Sequence, residues 1–274
     1  MRYLEPASVV LVSTTRTLPV ADRLAPLVEN AIMLKDIPPY NLPAIYEALA
    51  GFVTAHQWAG TDLLFNLTGG TKPMALAAHA LAQEKGSPWV YLQSEGARSL
   101  LYRYRFGASG VLQYTQDEIP ALLDLDDYLH AHLGQYDTGL CRDAAEQLIY
   151  DALFSVVDER MTSVTHGGAL EIDLVMRCGN QVGIAEVKTG NKANKKDGID
   201  QLTTAAAPRY LGTYARKFLI TDRAMGSNNR ALAEEHRVHI IALPSLSEGV
   251  LSDQDRDTLT QTILGALGGA GYVS

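Results

Sequence analysis

The residues best suited to chemistry lie in the second half of the 274-residue chain: Glu171-Ile172-Asp173 and, thirteen residues beyond the aspartate, Glu186-Val187-Lys188. Alternation along a strand over Leu170–Met176 puts Leu170, Ile172, Leu174 and Met176 on one face and Glu171, Asp173 and Val175 on the other. In a second strand over Val182–Lys188, Val182, Ile184, Glu186 and Lys188 share a face. The Gly- and Asn-bearing turn at Cys178–Gln181 predicts an antiparallel hairpin, which lets one carboxylate from each strand converge on a common point. Hydrolysis of a phosphodiester needs an oriented water and stabilisation of negative charge, and a hard divalent cation on oxygen ligands meets both needs. Asp173 and Glu186 supply the carboxylates, and the Val187 carbonyl offers a third oxygen. With no sulfur or imidazole partner nearby, Mg²⁺ or Mn²⁺ is the expected ion. Lys188 can orient or deprotonate water and stabilise phosphate charge. Glu146 shares a helical face with Ile149 and Leu153, a stripe expected to face the core, where an unpaired carboxylate is costly.

A second chemistry is written in Asp62-Leu63-Leu64-Phe65-Asn66-Leu67-Thr68-Gly69-Gly70-Thr71-Lys72. Strand, glycine turn and helix start follow one another, which is a geometry that binds anions. Gly69 and Gly70 allow close backbone approach, free N–H groups face the ligand, and Thr71 and Lys72 add a hydroxyl and a positive charge. The spacing is neither a Walker loop nor Gly-x-Gly-x-x-Gly. A plain helix cap by Thr68 or Thr71 is the alternative reading.

The elements that must position these groups form two patterns. In the first half, strands over Ala7–Ser13, Ala31–Lys35, Asp62–Asn66 and Trp89–Gln93 alternate with helices over Leu42–His56 and Thr71–Lys85, predicting a parallel sheet flanked by helices. A β-hairpin over Ser99–Phe106 and Val111–Thr115, turning at Gly107 to Gly110, closes this half. Residues 117–137 read as an acidic connecting helix. Beyond it come a helix over Leu140–Val157, strands over Met161–His166, Leu170–Met176 and Val182–Lys188, and a helix over Asp197–Leu211. A strand at Lys217–Thr221, a helix near Asn228–His236, a strand at Val238–Leu243 and a helix over Asp253–Leu267 follow, with a glycine-rich tail from Gly268 to Gly271. The domains expected are therefore residues 1–116 and 138–274, joined by 117–137.

Composition narrows the classes. The hydrophobic fraction of 47% suits two globular cores. The first apolar run, Val9-Val10-Leu11-Val12, is too short for a signal peptide or a membrane span, so a cytoplasmic protein with no membrane association is expected. Cys141 and Cys178 stand alone, and the seven histidines show no metal spacing, which argues against disulfides and zinc. A net charge of −8 argues against coating nucleic acid by charge alone. Lys188, Lys192, Lys195 and Lys196 nevertheless form a local basic cluster, which in isolation reads as a solvated loop.

Taken alone, Glu-x-Lys in a strand is an ordinary ion pair. The ordered set of Glu146, Asp173, Glu186-Val187-Lys188 and a following helix with Gln201-Leu202 resembles the PD-(D/E)xK nuclease superfamily. That resemblance implies a catalytic set of Glu146, Asp173, Glu186 and Lys188, a restriction-endonuclease-like α/β domain with a mixed sheet, and a place for Gln201 near the site. Where such domains often carry Gly-Gly after that helix, this chain has Leu211-Gly212. The segment Asn66–Lys72, together with Ser13-Thr14-Thr15 at the end of the first strand, resembles CARF domains, the Rossmann-like sensors of CRISPR defence. This second resemblance implies a parallel-sheet sensor with Ser13, Thr14, Thr15, Thr68, Gly69, Gly70, Thr71 and Lys72 at the activator. The fused pair implies a homodimeric effector switched on by a cyclic oligoadenylate, with cyclic tetra-adenylate the expected form, that degrades DNA, RNA or both. A constitutive restriction- or repair-type nuclease and a nucleotide-binding regulator with a vestigial nuclease domain are the competing readings. The Thr-Gly-Gly-Thr-Lys loop disfavours the first, and the intact Glu186-Val187-Lys188 the second.

Overall fold

The computed structural model describes residues 3–96, 98–107 and 109–268. It divides into two compact units, Met1–Pro120 and Ala121–Ser274. The expected glycine tail beyond Gly268 and Ala108 of the hairpin turn lie outside the described residues.

The first unit runs β1 (Val9–Val12), α1 (Leu18–Leu24), β2 (Ala31–Leu34), α2 (Leu42–Ala55), β3 (Phe65–Asn66), α3 (Lys72–Lys85), β4 (Trp89–Glu95), β5 (Arg98–Phe106) and β6 (Leu112–Ile119). Strand β1 pairs in parallel with β2, Val10 opposite Ile32. Strand β3 pairs in parallel with β4, to which β5 and β6 add antiparallel. The single parallel sheet expected from the alternating pattern is thus two hydrogen-bonded pieces, one of them mixed. The strand expected over Asp62–Asn66 shrinks to two residues, because Gly60–Asp62 forms a 3₁₀ turn in which Asp62 accepts the Ala59 N–H. Helices α2 and α3 start at Asn41 and Thr71, whose side chains accept the N–H three residues on. Ile37, Ile45 and Ala77, with Leu34 and Met74 against them, make the core between these helices.

The second unit begins with α4 (Leu125–Leu133) and α5 (Ala144–Ala152), continues through β7 (Glu159–His166), β8 (Leu170–Cys178), β9 (Gln181–Lys188), α6 (Asp197–Ala205), β10 (Arg216–Thr221), α7 (Ser227–Glu235) and β11 (Val238–Ala242), and ends in α8 (Asp253–Leu267). Its sheet has the order β11-β10-β9-β8-β7, parallel across β9, β10 and β11 and antiparallel across β7, β8 and β9. Val182, Ile184 and Leu219 face one core with Leu125, Leu129, Ile199 and Leu202. Ala185, Val187, Phe218 and Ile220 face the other with Ile149, Leu153, Leu259 and Ile263. A sheet covered on both sides explains why its central strands are buried nearly throughout.

Segment 117–137 differs from the free connecting helix expected. Its first residues extend β6 to Ile119, and α4 is a core helix that buries Leu125, Leu129 and Leu133, with Asp124 as its N-cap, Asp126 exposed and Asp127 buried. Two helices end sooner than their apolar periodicity predicts. Helix α5 starts after Gly139, whose N–H donates to the Thr162 carbonyl of β7, and passes into a 3₁₀ turn at Leu153. Helix α6 stops at Ala205, three residues before Pro208.

Candidate active site

Hairpin β8–β9 turns through Gly179 and Asn180, with Gly179 at φ 58°, and pairs Leu174 with Ala185. One step further along the same register, Asp173 lies opposite Glu186. The regular alternation expected along β8 breaks at this residue: Leu170 and Ile172 pack into one core, Leu174 and Met176 into the other. The change of side falls where the facing residue of β7, Ser163, leaves the pairing with a φ of 46°. This irregularity turns Asp173 inward.

Asp173 and Glu186 are buried, at 2% and 1% exposure. The Val187 N–H donates to Asp173 Oδ2 at 2.9 Å. Lys188 Nζ donates to the same oxygen at 3.2 Å and to Glu186 Oε2 at 2.5 Å. Burial, and then the Asp173 charge, push the Glu186 carboxyl up to about 8 against the pull of Lys188. For Lys188, burial acts downward, but Glu186 and Asp173 outweigh it and hold the ammonium above the usual lysine range. The first turn of α6 closes over this group: a methyl at Gly198 would meet Leu219 at 2.6 Å and Lys188 Cγ at 3.4 Å.

Glu146 is buried beside this group, one helix away, and its carboxyl is raised by burial, an effect opposed by the Arg142 N–H and augmented by Asp173. Its carboxylate accepts the Arg142 N–H at 2.8 Å, while its own N–H donates to the N-cap Asp143 at 3.0 Å. That is a close variant of the capping box, legible in the sequence as Asp143-Ala144-Ala145-Glu146. Arg142, absent from the sequence-based set, extends its guanidinium to Glu171 and to within 3.9 Å of Asp173 Oδ1. Gln201 is exposed on α6, with no hydrogen bond to the carboxylates among the described contacts. Of the four clustered lysines, Lys188 alone is drawn into the site, while Lys192, Lys195 and Lys196 are exposed and Lys196 pairs with Asp200.

Among the described residues no group of three or more His, Cys, Asp or Glu side chains is arranged as a ready metal cage. Two buried carboxyl groups that share one lysine still form an oxygen-only donor pair, which suits a hard divalent cation.

In the first unit, the two sequence-marked loops are tied together by a third. Asp36 accepts the Thr15 hydroxyl at 3.2 Å, the Ile37 N–H donates to the Ser13 carbonyl, and the Pro39 carbonyl accepts the Thr71 hydroxyl at 2.5 Å. Thr71 is the N-cap of α3, whereas Thr68 accepts the Leu92 N–H at 2.8 Å. Thr14 bonds Thr17. Gly70 needs its left-handed φ of 83°, Gly69 has open space where a side chain would be, and Lys72 is exposed at the helix start. The Ser13 hydroxyl is fully buried without a hydrogen-bond partner.

No protein-family model matches the chain, nor does any curated protein. Solved structures do. Over 94% of this chain and 90% of the other, it is similar to Can2 from Sulfobacillus thermosulfidooxidans in complex with cyclic tetra-adenylate, with a TM-score of 0.70 at 13% identity. Protein VC1899 from Vibrio cholerae aligns over 96% of this chain and 93% of its own, with a TM-score of 0.70 at 14% identity. A type III CRISPR defence DNA nuclease activated by cyclic oligoadenylate aligns over 80% of this chain and 42% of its own, with a TM-score of 0.50 at 16% identity. The likeness is one of fold: an α/β unit with parallel strand pairs followed by an α/β unit with a mixed sheet.

Proposed function

We propose that this chain is a cyclic-oligoadenylate-activated, metal-dependent nuclease of type III CRISPR antiviral defence, acting on DNA, RNA or both. The observation that carries the reading is the buried Asp173–Glu186–Lys188 group, in a fold shared with Can2 bound to cyclic tetra-adenylate. Asp173, Glu186 and the Val187 carbonyl would hold Mg²⁺ or Mn²⁺, which when bound supplies Lewis acidity and lowers the pKa of a coordinated water. Lys188, fixed by both carboxylates, orients the attacking water and offsets charge on the phosphate. The Val187 N–H keeps Asp173 aimed into the site. Glu146 acts through Arg142, whose N–H it accepts. Gln201 is a substrate-side group reached from the exposed flank of α6.

In the sensor domain, the loop Thr68-Gly69-Gly70-Thr71-Lys72 meets the anionic backbone of cyclic tetra-adenylate, with Ser13, Thr14 and Thr15 on its other side. The unpartnered Ser13 hydroxyl supports this placement. The active form is a cytoplasmic homodimer, and the activator works by binding its cutting-competent arrangement more tightly. The test is cleavage of labelled DNA and RNA by the wild type and by Glu186→Ala, with activator and Mn²⁺ or with excess chelator. Cleavage that is lost in the variant and in chelator supports the site, whereas undiminished cutting in either overturns it.

A further inference from the structure

We propose that Arg142 is a built-in counter-ion of the carboxylate site, which a divalent cation displaces from Asp173 and which then meets the substrate phosphate. This rests on the nuclease reading above. The guanidinium bridges Glu171 and Asp173 from outside, and 42% of its side chain is exposed. Lys188 is unlike it: only 15% exposed and bonded to both buried carboxylates, it has no freedom to leave. The backbone of Arg142 is pinned by Glu146 through its N–H, just before the N-cap of α5. A fixed backbone with a long, part-exposed side chain is a tether that lets the charged group swing from Asp173 without leaving the site.

Two cations facing one carboxylate compete. At 3.9 Å from Asp173 Oδ1, the guanidinium occupies space and potential that a cation on Asp173 also needs. Once displaced, it remains beside Glu171 at the site's open edge. Its planar fork suits the paired oxygens of a phosphate, which a buried ammonium cannot offer. The arrangement also keeps the carboxylates neutralised in the metal-free protein.

The inference makes two predictions of opposite sign for Arg142→Gln, and this opposition distinguishes it from a merely structural role. Mn²⁺ binding to the full chain without substrate or activator, measured by calorimetry, is expected to tighten by about 10-fold, because the competing charge is gone. Cleavage at saturating Mn²⁺ and activator is expected to fall by about 100-fold in kcat/KM, because the phosphate loses a charged bidentate partner. Arg142→Lys keeps the charge without the fork, so its Mn²⁺ affinity should stay near wild type while cleavage drops, and this variant serves where the glutamine protein folds poorly. Unchanged or weaker Mn²⁺ binding in Arg142→Gln, or lysine cutting at the wild-type rate, overturns the inference. Failure of the wild type itself to bind Mn²⁺, with Asp173→Ala as the control, would instead overturn the nuclease reading.

Discussion

Lys188 is the residue on which the electrostatics of the site turn, since it is bonded to both buried carboxyl groups and its charge opposes the burial that raises Glu186. Lys188→Met should abolish cleavage and, in chelator, cost roughly 3 kcal/mol of stability in denaturant unfolding, the usual penalty for removing one partner of a buried ion pair. Added Mn²⁺ should restore part of that loss. No loss of stability would mean that the carboxylates do not depend on the lysine. Glu186→Gln behaves differently. The Glu186 carboxyl is raised to about 8, so near neutral pH an amide resembles its protonated form. This variant should melt within about 2 °C of the wild type while failing to cut, and a fall of ten degrees would contradict the assignment. The approach of Asp173 to Glu186 and Lys188 was legible because hairpin register is a local rule, whereas the break in alternation at Asp173 depends on Ser163 of β7 and was not. Arg142 was missed because its partners lie in another element, thirty residues away. The structural task of Glu146 was in plain view as Asp143-Ala144-Ala145-Glu146, a capping signal overshadowed by the apolar stripe it begins.

Among the elements, the strands of the second unit were readable from hydrophobic pattern, and α8 matches the expected span from Asp253 to Leu267. What pattern could not give was termination. Where Gly139 binds β7 or Pro208 follows α6, tertiary contacts and backbone sterics cut helices that periodicity extends. The acidic run around Asp124–Asp127 read as a linker because charge dominates it, although Leu125 and Leu129 are fully buried. Helix α4 also carries a testable device. Tyr128 donates its hydroxyl to the Leu211 carbonyl at 2.6 Å, and burial raises it to about 12 from 10.0. A folded-state pKa above the unfolded one gives stability that is complete below about pH 10 and lost as pH rises toward 12. Tyr128→Phe should therefore be less stable than the wild type at pH 8, by about 1 kcal/mol, with the gap closing by about pH 11 and changing sign by about pH 12 in urea unfolding. A gap that is constant with pH would show that the phenol does not titrate this way.

For the whole molecule, if the chain cuts nucleic acid as proposed, its charge of −8 confines the attraction to local groups, such as Arg142 and the exposed lysines after β9. On the proposed reading, sensing and cutting belong to separate units, each with its own cluster of polar groups. If Lys72 contacts the anionic activator, Lys72→Ala should raise the half-activating concentration by about 10-fold and leave the saturated cleavage rate near that of the wild type. An unchanged half-activating concentration would reduce the glycine loop to the helix cap that Thr71 already forms. The sequence carried both loops but not the link between them, because the segment from Asp36 to Pro39 has no motif and acquires its role only through hydrogen bonds to Thr15, Ser13 and Thr71. The most direct test of the whole account is the rate of phosphodiester cleavage in Mn²⁺ with and without cyclic tetra-adenylate. The account predicts little cutting without the activator and at least a 100-fold increase on its addition, a shift of about 2.7 kcal/mol in coupling. Equal rates in its presence and absence would contradict it.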